Sequence, residues 1–184
     1  MLLLLPPSET KRDGGPGPAL ALDALSHASL TGARRVVLDA LTELMRDEAG
    51  AARALTLGAK AVEAELARNR AVTSSPTMPA IERYTGVLYD ALGVQDWGAD
   101  ARARASRHLA VHSALFGLLA ADDPIPAYRL SHDSRLPGVR LRAHWSEANA
   151  AVLAGVEGPI FDLRSEGYAA LGPLPERPDA VFVR

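Results

Sequence analysis

The chain opens with a run of four leucines, Leu2 to Leu5, which two prolines bring to an end. A secretory signal needs roughly 7–15 apolar residues behind a basic segment, and a membrane-spanning helix needs about 20. This run is too short for either, and no other stretch approaches the second length. A short apolar run that ends in prolines is typical of a buried strand leading into a loop. We therefore expect a cytoplasmic protein without a membrane association, folded around a buried first strand.

The amino-acid content excludes several classes of protein. The chain has no cysteine, so it cannot form a disulfide scaffold, a zinc–thiolate site or a cysteine nucleophile. Its 184 residues suffice for one domain, which we place over 1–184, and its 5% aromatic content implies a core of Ala, Leu and Val. A net charge of −2 argues against binding to nucleic acid through bulk positive charge, but leaves room for a local basic patch.

Hydrophobic periodicity predicts an α/β fold, a helix-rich single domain around a few short strands. The predicted strands are 2–5, 159–163 and 180–184, with a short strand or turn at 126–130. The predicted helices are 29–48, 59–70, one that starts near Pro79 and ends at Gly93, 101–121 and 143–154.

Charge is distributed unevenly along the chain. Residues 39–100 contain ten acidic and six basic residues, a net charge of −4, whereas residues 101–144 contain seven arginines and three aspartates, a net charge of +4. The basic segment could line a cleft for an anion. It could equally be an ordinary solvated helix face.

The first polar motif, 6–11, follows the first strand directly. Ligands of α/β folds bind at the carboxyl ends of strands, and the hydroxyls of Ser8 and Thr10 with the ammonium of Lys11 suit a phosphate or a carboxylate. Lys11 is one of only two lysines in an arginine-rich chain. Burial can lower the pKa of an amine, so Lys11 could act as a base or nucleophile where an arginine could not. The alternative is an ordinary polar loop.

The second polar motif, 162–168, also leaves a predicted strand. If this strand and the first strand are neighbours, their loops converge on one site. The side chains concerned are Arg164, Ser165, Glu166 and Tyr168 on one loop and Ser8 and Lys11 on the other. Ser8, Lys11 and Glu166 are then the candidate catalytic groups.

The third motif, 123–130, contains two prolines that restrict the backbone in front of Tyr128 and Arg129. A rigidly held Tyr–Arg pair suits stacking on a base or clamping a phosphate. A structural turn in which Arg129 pairs with Asp122 or Asp123 fits the sequence equally well.

Two weaker patterns lie in the predicted helix 101–121 and just after it. His108 and His112 stand four residues apart, a spacing that can hold a metal, but no third ligand is visible, so we expect a packed pair, no metal and no cofactor. Residues 109–125 can also be interpreted as a helix-hairpin-helix, an element that binds DNA phosphates through backbone N–H groups.

Taken in order, these segments resemble the YaaA family of bacterial peroxide-stress proteins, in its actinobacterial branch. The resemblance covers essentially the whole chain and is carried by Leu4–Lys11, Tyr84–Leu92, Ser113–Leu119, Pro124–Leu130, Trp145 and Asp162–Tyr168.

The resemblance implies a cytoplasmic DNA-binding protein with a basic cleft and a helix-hairpin-helix. It implies a role in limiting oxidative DNA damage, in part by keeping free iron low, with no assigned catalytic activity. Members usually continue for several tens of residues past the position of Arg184, so the resemblance also implies either a C-terminal truncation or a short variant. In both cases we expect a terminal strand with an exposed edge that favours self-association. The alternative function is an enzyme or binder that acts on a nucleotide or other small anion through the loops 8–11 and 164–168.

Overall fold

A five-stranded mixed sheet with the first strand at its centre organises the computed structural model, which describes all 184 residues. The strands are β1 (Leu2–Leu5), β3 (Leu109–Ser113), β4 (Gly117–Ala120), β6 (Ile160–Asp162) and β7 (Ala180–Phe182), and a separate ladder holds β2 (Met78–Pro79) and β5 (Pro124–Ile125). The sheet order is β4-β3-β1-β6-β7, and only the β3–β4 pair is antiparallel. The predicted strands near residues 2, 160 and 180 are confirmed.

Eight α-helices surround the sheet and confirm a helix-rich α/β domain. They are α1 (Thr31–Leu44), α2 (Glu48–Ala54), α3 (Val62–Arg70), α4 (Ala80–Arg83), α5 (Val87–Leu92), α6 (Ala99–His108), α7 (Leu141–Ala154) and α8 (Glu166–Ala169). None of them combines the length and the apolar character that crossing a bilayer requires.

Helices cover both faces of the central strands. Register places Leu4 beside Ala110 on the face that α7 covers, and Leu3 beside Leu109 on the face that α6 covers. The prediction of a strand buried on both sides is therefore confirmed for the carboxyl half of β1, where Leu4 and Leu5 are buried. β7 is the edge strand on the side of the sheet opposite to β4; it pairs with β6, and its outer edge is free.

The predicted helix 101–121 is wrong beyond residue 108. The chain leaves α6 at His108 and forms the β3–β4 hairpin, so the helix-hairpin-helix interpretation of 109–125 is also wrong. Because His112 lies on a strand and His108 ends a helix, the two do not share a helix face. The hairpin turns at Gly117, whose φ of +66° favours glycine. Arg34 fixes the turn by donating to the carbonyls of Phe116 and Leu118, both at 2.8 Å.

The predicted helix that starts near Pro79 is interrupted in the middle. α4 ends at Arg83, Tyr84 is extended and bridges to Lys11, and the helix resumes at Val87. The buried guanidinium of Arg83 donates to four carbonyls, those of Arg12, Gly14 (2.8 Å), Pro76 (3.0 Å) and Ile125 (2.9 Å). One side chain therefore ties the loop after β1 to the rest of the molecule.

The hairpin turn provides a stability test of the fold. In Gly117→Ala the new Cβ would lie 2.8 Å from Asn149 Oδ1 and 2.9 Å from the Trp145 ring, in a backbone conformation that L residues rarely adopt. We expect the free energy of unfolding, measured with urea, to fall by about 3 kcal/mol. Gly138→Ala, at φ +68° but with nothing near its Cβ, should cost only about 1 kcal/mol. Equal losses would show that packing against α7 does not constrain the turn.

Candidate functional site

The two predicted loops leave the same edge of the sheet. β1 and β6 are parallel neighbours, with Leu4 paired to Asp162, so the expectation that these strands adjoin is confirmed. Their carboxyl ends, together with that of β3, form the edge from which the segments 6–11, 113–117 and 163–168 emerge. We call this edge the carboxyl-end pole.

Lys11 lies at the centre of the carboxyl-end pole as a buried cation. It is 8% exposed, and its ammonium donates to the carbonyls of Ser8 at 2.9 Å and Glu9 at 3.3 Å. The ammonium also lies 4.3 Å from the ring centroid of Tyr128 and 5.2 Å from that of Tyr84. No carboxylate pairs with it, so burial, reinforced by the charge of Arg129, lowers its pKa to about 7. Lys11 is thus an amine that gains and loses its proton near neutral pH.

All four tyrosines of the chain lie at the carboxyl-end pole, and the rings of Tyr84 and Tyr128 lie over this amine. The rings of Tyr84 and Tyr89 are 5.3 Å apart, and Tyr89 donates its hydroxyl hydrogen to the carbonyl of Pro6 at 2.6 Å. The ring of Tyr168 packs edge-on against those of His132 and His112, with centroid distances of 5.0 and 6.3 Å. Burial raises the pKa of each of the four hydroxyls, so all of them stay protonated at physiological pH.

A directed chain of hydrogen bonds runs through two of these tyrosines. Ser113 Oγ accepts the backbone N–H groups of Leu115 (3.1 Å) and Phe116 (3.0 Å), which uses both of its lone pairs. Its own hydrogen is therefore donated to Tyr128 Oη at 2.7 Å, and Tyr128 donates to Tyr84 Oη at 2.8 Å. The hydroxyl hydrogen of Tyr84 is left without an acceptor inside the protein. Sequence reasoning missed Ser113 and Tyr84 as members of this site.

The predicted Tyr128–Arg129 pair has a different role from the one expected. Tyr128 is 1% exposed, so its ring is not free to stack on a base in this structure. Arg129 pairs with Glu9 at 2.7 Å, and not with either of the preceding aspartates. Its backbone is fixed by Asn69, whose amide accepts from its N–H and donates to its carbonyl, both at 2.8 Å.

The hydroxyls of Ser8 and Thr10 are accessible. Thr10 Oγ1 lies 3.2 Å from Ser8 Oγ and accepts from Thr85 Oγ1 at 2.9 Å. Beside them is a shallow cavity of about 260 Å³ whose lining includes Ser8, Thr85 and the backbone of Gly86. This is the part of the pole to which a small ligand has direct access.

The second loop contributes less than expected to this site. Arg164 is buried and engaged with Asp162 through two bonds of 2.8 and 2.6 Å, so its guanidinium binds the fold and not a ligand. Ser165 is exposed, and Glu166 is exposed and faces Arg184 at 3.4 Å. Neither of them contacts Lys11. Tyr168 is the member of this loop that the structure brings into the tyrosine cluster.

The basic segment 101–144 does not form one surface. Arg102 and Arg129 are paired with carboxylates, Glu82 and Glu9. Of the other five arginines, two lie on α6 and three lie before or at the start of α7, and these helices cover opposite faces of the sheet. These unpaired residues are Arg104 and Arg107 on α6 and Arg135, Arg140 and Arg142 near α7. No group of three or more His, Asp or Glu side chains has the spacing of a metal site.

The low pKa of Lys11 predicts a pH dependence of stability. In the unfolded chain the amine keeps its proton up to about pH 10.5, whereas in the folded protein the amine releases the proton near pH 7. The unfolded state therefore binds more protons between these values, and stability should rise by about 1 kcal/mol per pH unit from neutrality to about pH 9. Denaturant unfolding of Lys11→Met should lack this rise, and the same slope in both proteins would contradict a depressed pKa.

Comparison with known proteins assigns the chain to a family. A sequence model of the family described as "Peroxide stress protein YaaA" matches residues 1–180. A UPF0246 protein of Corynebacterium glutamicum is 44% identical over the whole chain, which covers 73% of that relative, and one of Streptomyces coelicolor is 43% identical over 92% of the chain and 66% of its own length. A UPF0246 protein of Streptococcus sanguinis is 30% identical over 73% of the chain and 56% of its own length. The chain therefore belongs to the YaaA family of peroxide-stress proteins, as its ordered motifs indicated.

Proposed function

We propose that this protein serves the peroxide-stress response by binding the phosphate backbone of DNA at the start of α7. The observation that carries the proposal is a helix N-terminus without a side-chain cap, surrounded by three exposed arginines that pair with no carboxylate. This replaces the helix-hairpin-helix that the sequence suggested, because that segment is a β-hairpin.

The geometry of this terminus suits an anion. Arg140 occupies the N-cap position with an extended backbone, and no side chain accepts from the first N–H groups of the helix. Four such groups lack partners within any helix, and the helix dipole makes the same end positive. The 14 residues of α7 give this dipole its full effect. Phosphate is the anion that this arrangement binds most readily.

The arginines add charge at the same place. Arg140 and Arg142 belong to the terminus itself, and the backbone N–H of Arg135 donates to the carbonyl of Ala54 at 3.0 Å, which holds the preceding loop against α2. A guanidinium binds phosphate through two parallel hydrogen bonds. Contacts of this kind recognise the backbone and carry no sequence information, so we expect binding without sequence preference.

A link to iron follows from the physics of the phosphate backbone. DNA holds a condensed layer of cations, and a protein that neutralises phosphates releases them. Ferrous ions that associate with DNA would be displaced in the same way. Limitation of iron-driven damage would then result from occupancy of the DNA, without a metal site in the protein.

The salt dependence of DNA binding tests this proposal. For the double variant Arg140→Ala/Arg142→Ala, measured by fluorescence anisotropy on duplex DNA, we expect roughly tenfold weaker binding at moderate salt. The slope of log K against log salt should decrease in magnitude by about 2, one counterion for each lost contact.

A matched control removes the same charge elsewhere. Arg104→Ala/Arg107→Ala changes two unpaired arginines on α6, which covers the opposite face of the sheet, and should leave both quantities near their original values. Equal effects of the two double variants would point to net charge alone, and no binding by the wild type would refute the proposal.

A second candidate function is the binding of a small anion at the carboxyl-end pole. It is favoured by the orphaned hydrogen of Tyr84, a buried donor on a ring whose centroid lies 5.2 Å from the amine of Lys11, an amine with a pKa of about 7. A buried donor without a partner is unfavourable, and an oxygen of a phosphate or carboxylate would satisfy it. The neutral form of Lys11 could then accept a proton from a bound substrate, which would make the site catalytic.

Thermal shift with inorganic phosphate and with AMP tests the second candidate. Either ligand should raise the melting temperature of the wild type in proportion to the logarithm of its concentration. Lys11→Met and Tyr84→Phe should each reduce the shift at least fivefold. Lys60→Met, which changes the only other lysine at an exposed position, should not. A shift that survives both substitutions would place the ligand elsewhere.

A further inference from the structure

The largest cavity of the molecule lies at the end of the sheet opposite to Lys11, and no candidate site residue lines it. It opens at the amino ends of β1 and β3 and beneath the last turn of α7. Its volume of about 500 Å³ is within the range of small-molecule sites. Most of its lining is apolar, and its walls belong to regular elements of the fold.

Two small side chains create this space. Ala110 of β3 pairs with Ala120 of β4, whereas the next pair on the same face of the sheet is His112 with Leu118. Ala120 is half-buried, whereas His112 and Leu118 are fully buried, so the cavity opens at the alanine pair. Leu118 then forms one wall of the cavity, and Leu153 of α7 forms another. Both are almost fully buried, so the apolar surface open to a ligand comes mainly from the half-buried Leu2, Ala120 and Val152.

The mouth of the cavity is polar and carries mostly donors. Arg107, in the last turn of α6, has no carboxylate partner, and the imidazoles of His27 and His108 stand on the same rim. His27 is fixed there by a left-handed backbone with φ of +58°. One carboxylate, that of Glu157, also lines the rim, and it forms no ion pair with Arg107. An unpaired guanidinium above an apolar body is complementary to a carboxylate attached to a hydrocarbon.

We propose that this cavity binds a small amphipathic anion, a single carboxylate on an unbranched hydrocarbon chain. The hydrocarbon lies over Ala120, between Leu2 and the last turn of α7, and the carboxylate accepts from Arg107 at the rim. The proposal concerns a second site, independent of the DNA surface and of Lys11.

Three probes of equal chain length separate the contributions to binding. Decanoate should raise the melting temperature of the intact chain the most. Decanol has no charge and should raise it less. Decyltrimethylammonium should raise it least, because its positive charge can pair only with Glu157. Arg107→Gln should weaken decanoate about tenfold and leave decanol unchanged. If decyltrimethylammonium binds as well as decanoate, the assignment of an anion is overturned.

Filling the cavity tests its location. Ala120→Leu should abolish decanoate binding, and Ala151→Leu, the same change on the exposed side of α7, should leave it intact. If Ala120→Leu does not fold, Val156→Phe closes the mouth from the half-buried segment after α7 and should have the same effect. Decanoate binding that persists in a folded cavity-filling variant, or that is absent from the wild type, refutes the site.

Discussion

The burial of β1 inside the sheet is the constraint on which the rest of the structure depends. Each of its leucines, where it is fully buried, stabilises the folded state by on the order of 2 kcal/mol. Such burial requires a parallel strand on each side of β1 and helices on both faces of the sheet. Two parallel neighbours bring three carboxyl ends to one edge. The loop that leaves β1 must cross that edge, so its polar residues meet the end of β3 and the loop after β6. The position of Lys11 is therefore a consequence of the leucine run.

Segments whose secondary structure is determined by their local sequence were predicted correctly. The leucine run and the strands near 160 and 180 are short, apolar and bounded by turn residues, and α7 has helical periodicity. Residues 109–120 are different, because alanine and leucine in a continuous apolar stretch fit a buried helix and a buried strand equally well. The pairing of β3 with β1 decides the question, and that contact spans about a hundred residues. Gly117 was the one local signal, since a glycine amid apolar residues is typical of a tight turn.

The site was predictable only in part for a related reason. The strand-end argument places Ser8 and Lys11 at the carboxyl-end pole from sequence alone. It cannot show that Arg164 forms an ion pair with Asp162, two residues earlier, and is therefore unavailable to a ligand, because that pairing depends on the burial of both side chains. It also cannot find Tyr84, which reaches the amine through a bridge between segments more than 70 residues apart. Both outcomes are set by burial, which a motif does not encode.

Lys11 differs from two other buried cations of the fold, Arg34 and Arg83, in its pKa. Arg34 and Arg83 are also buried among carbonyls without a carboxylate, and burial lowers the pKa of each only to about 10. They remain charged under all physiological conditions, so their hydrogen bonds to backbone carbonyls do not depend on pH. Lys11 contacts only two carbonyls, which an arginine with five donors could also satisfy. What an arginine cannot provide there is a proton that comes and goes near pH 7. The fold thus has arginine where a permanent charge holds backbone carbonyls together, and lysine at the buried position where a reversible charge lies over two tyrosine rings.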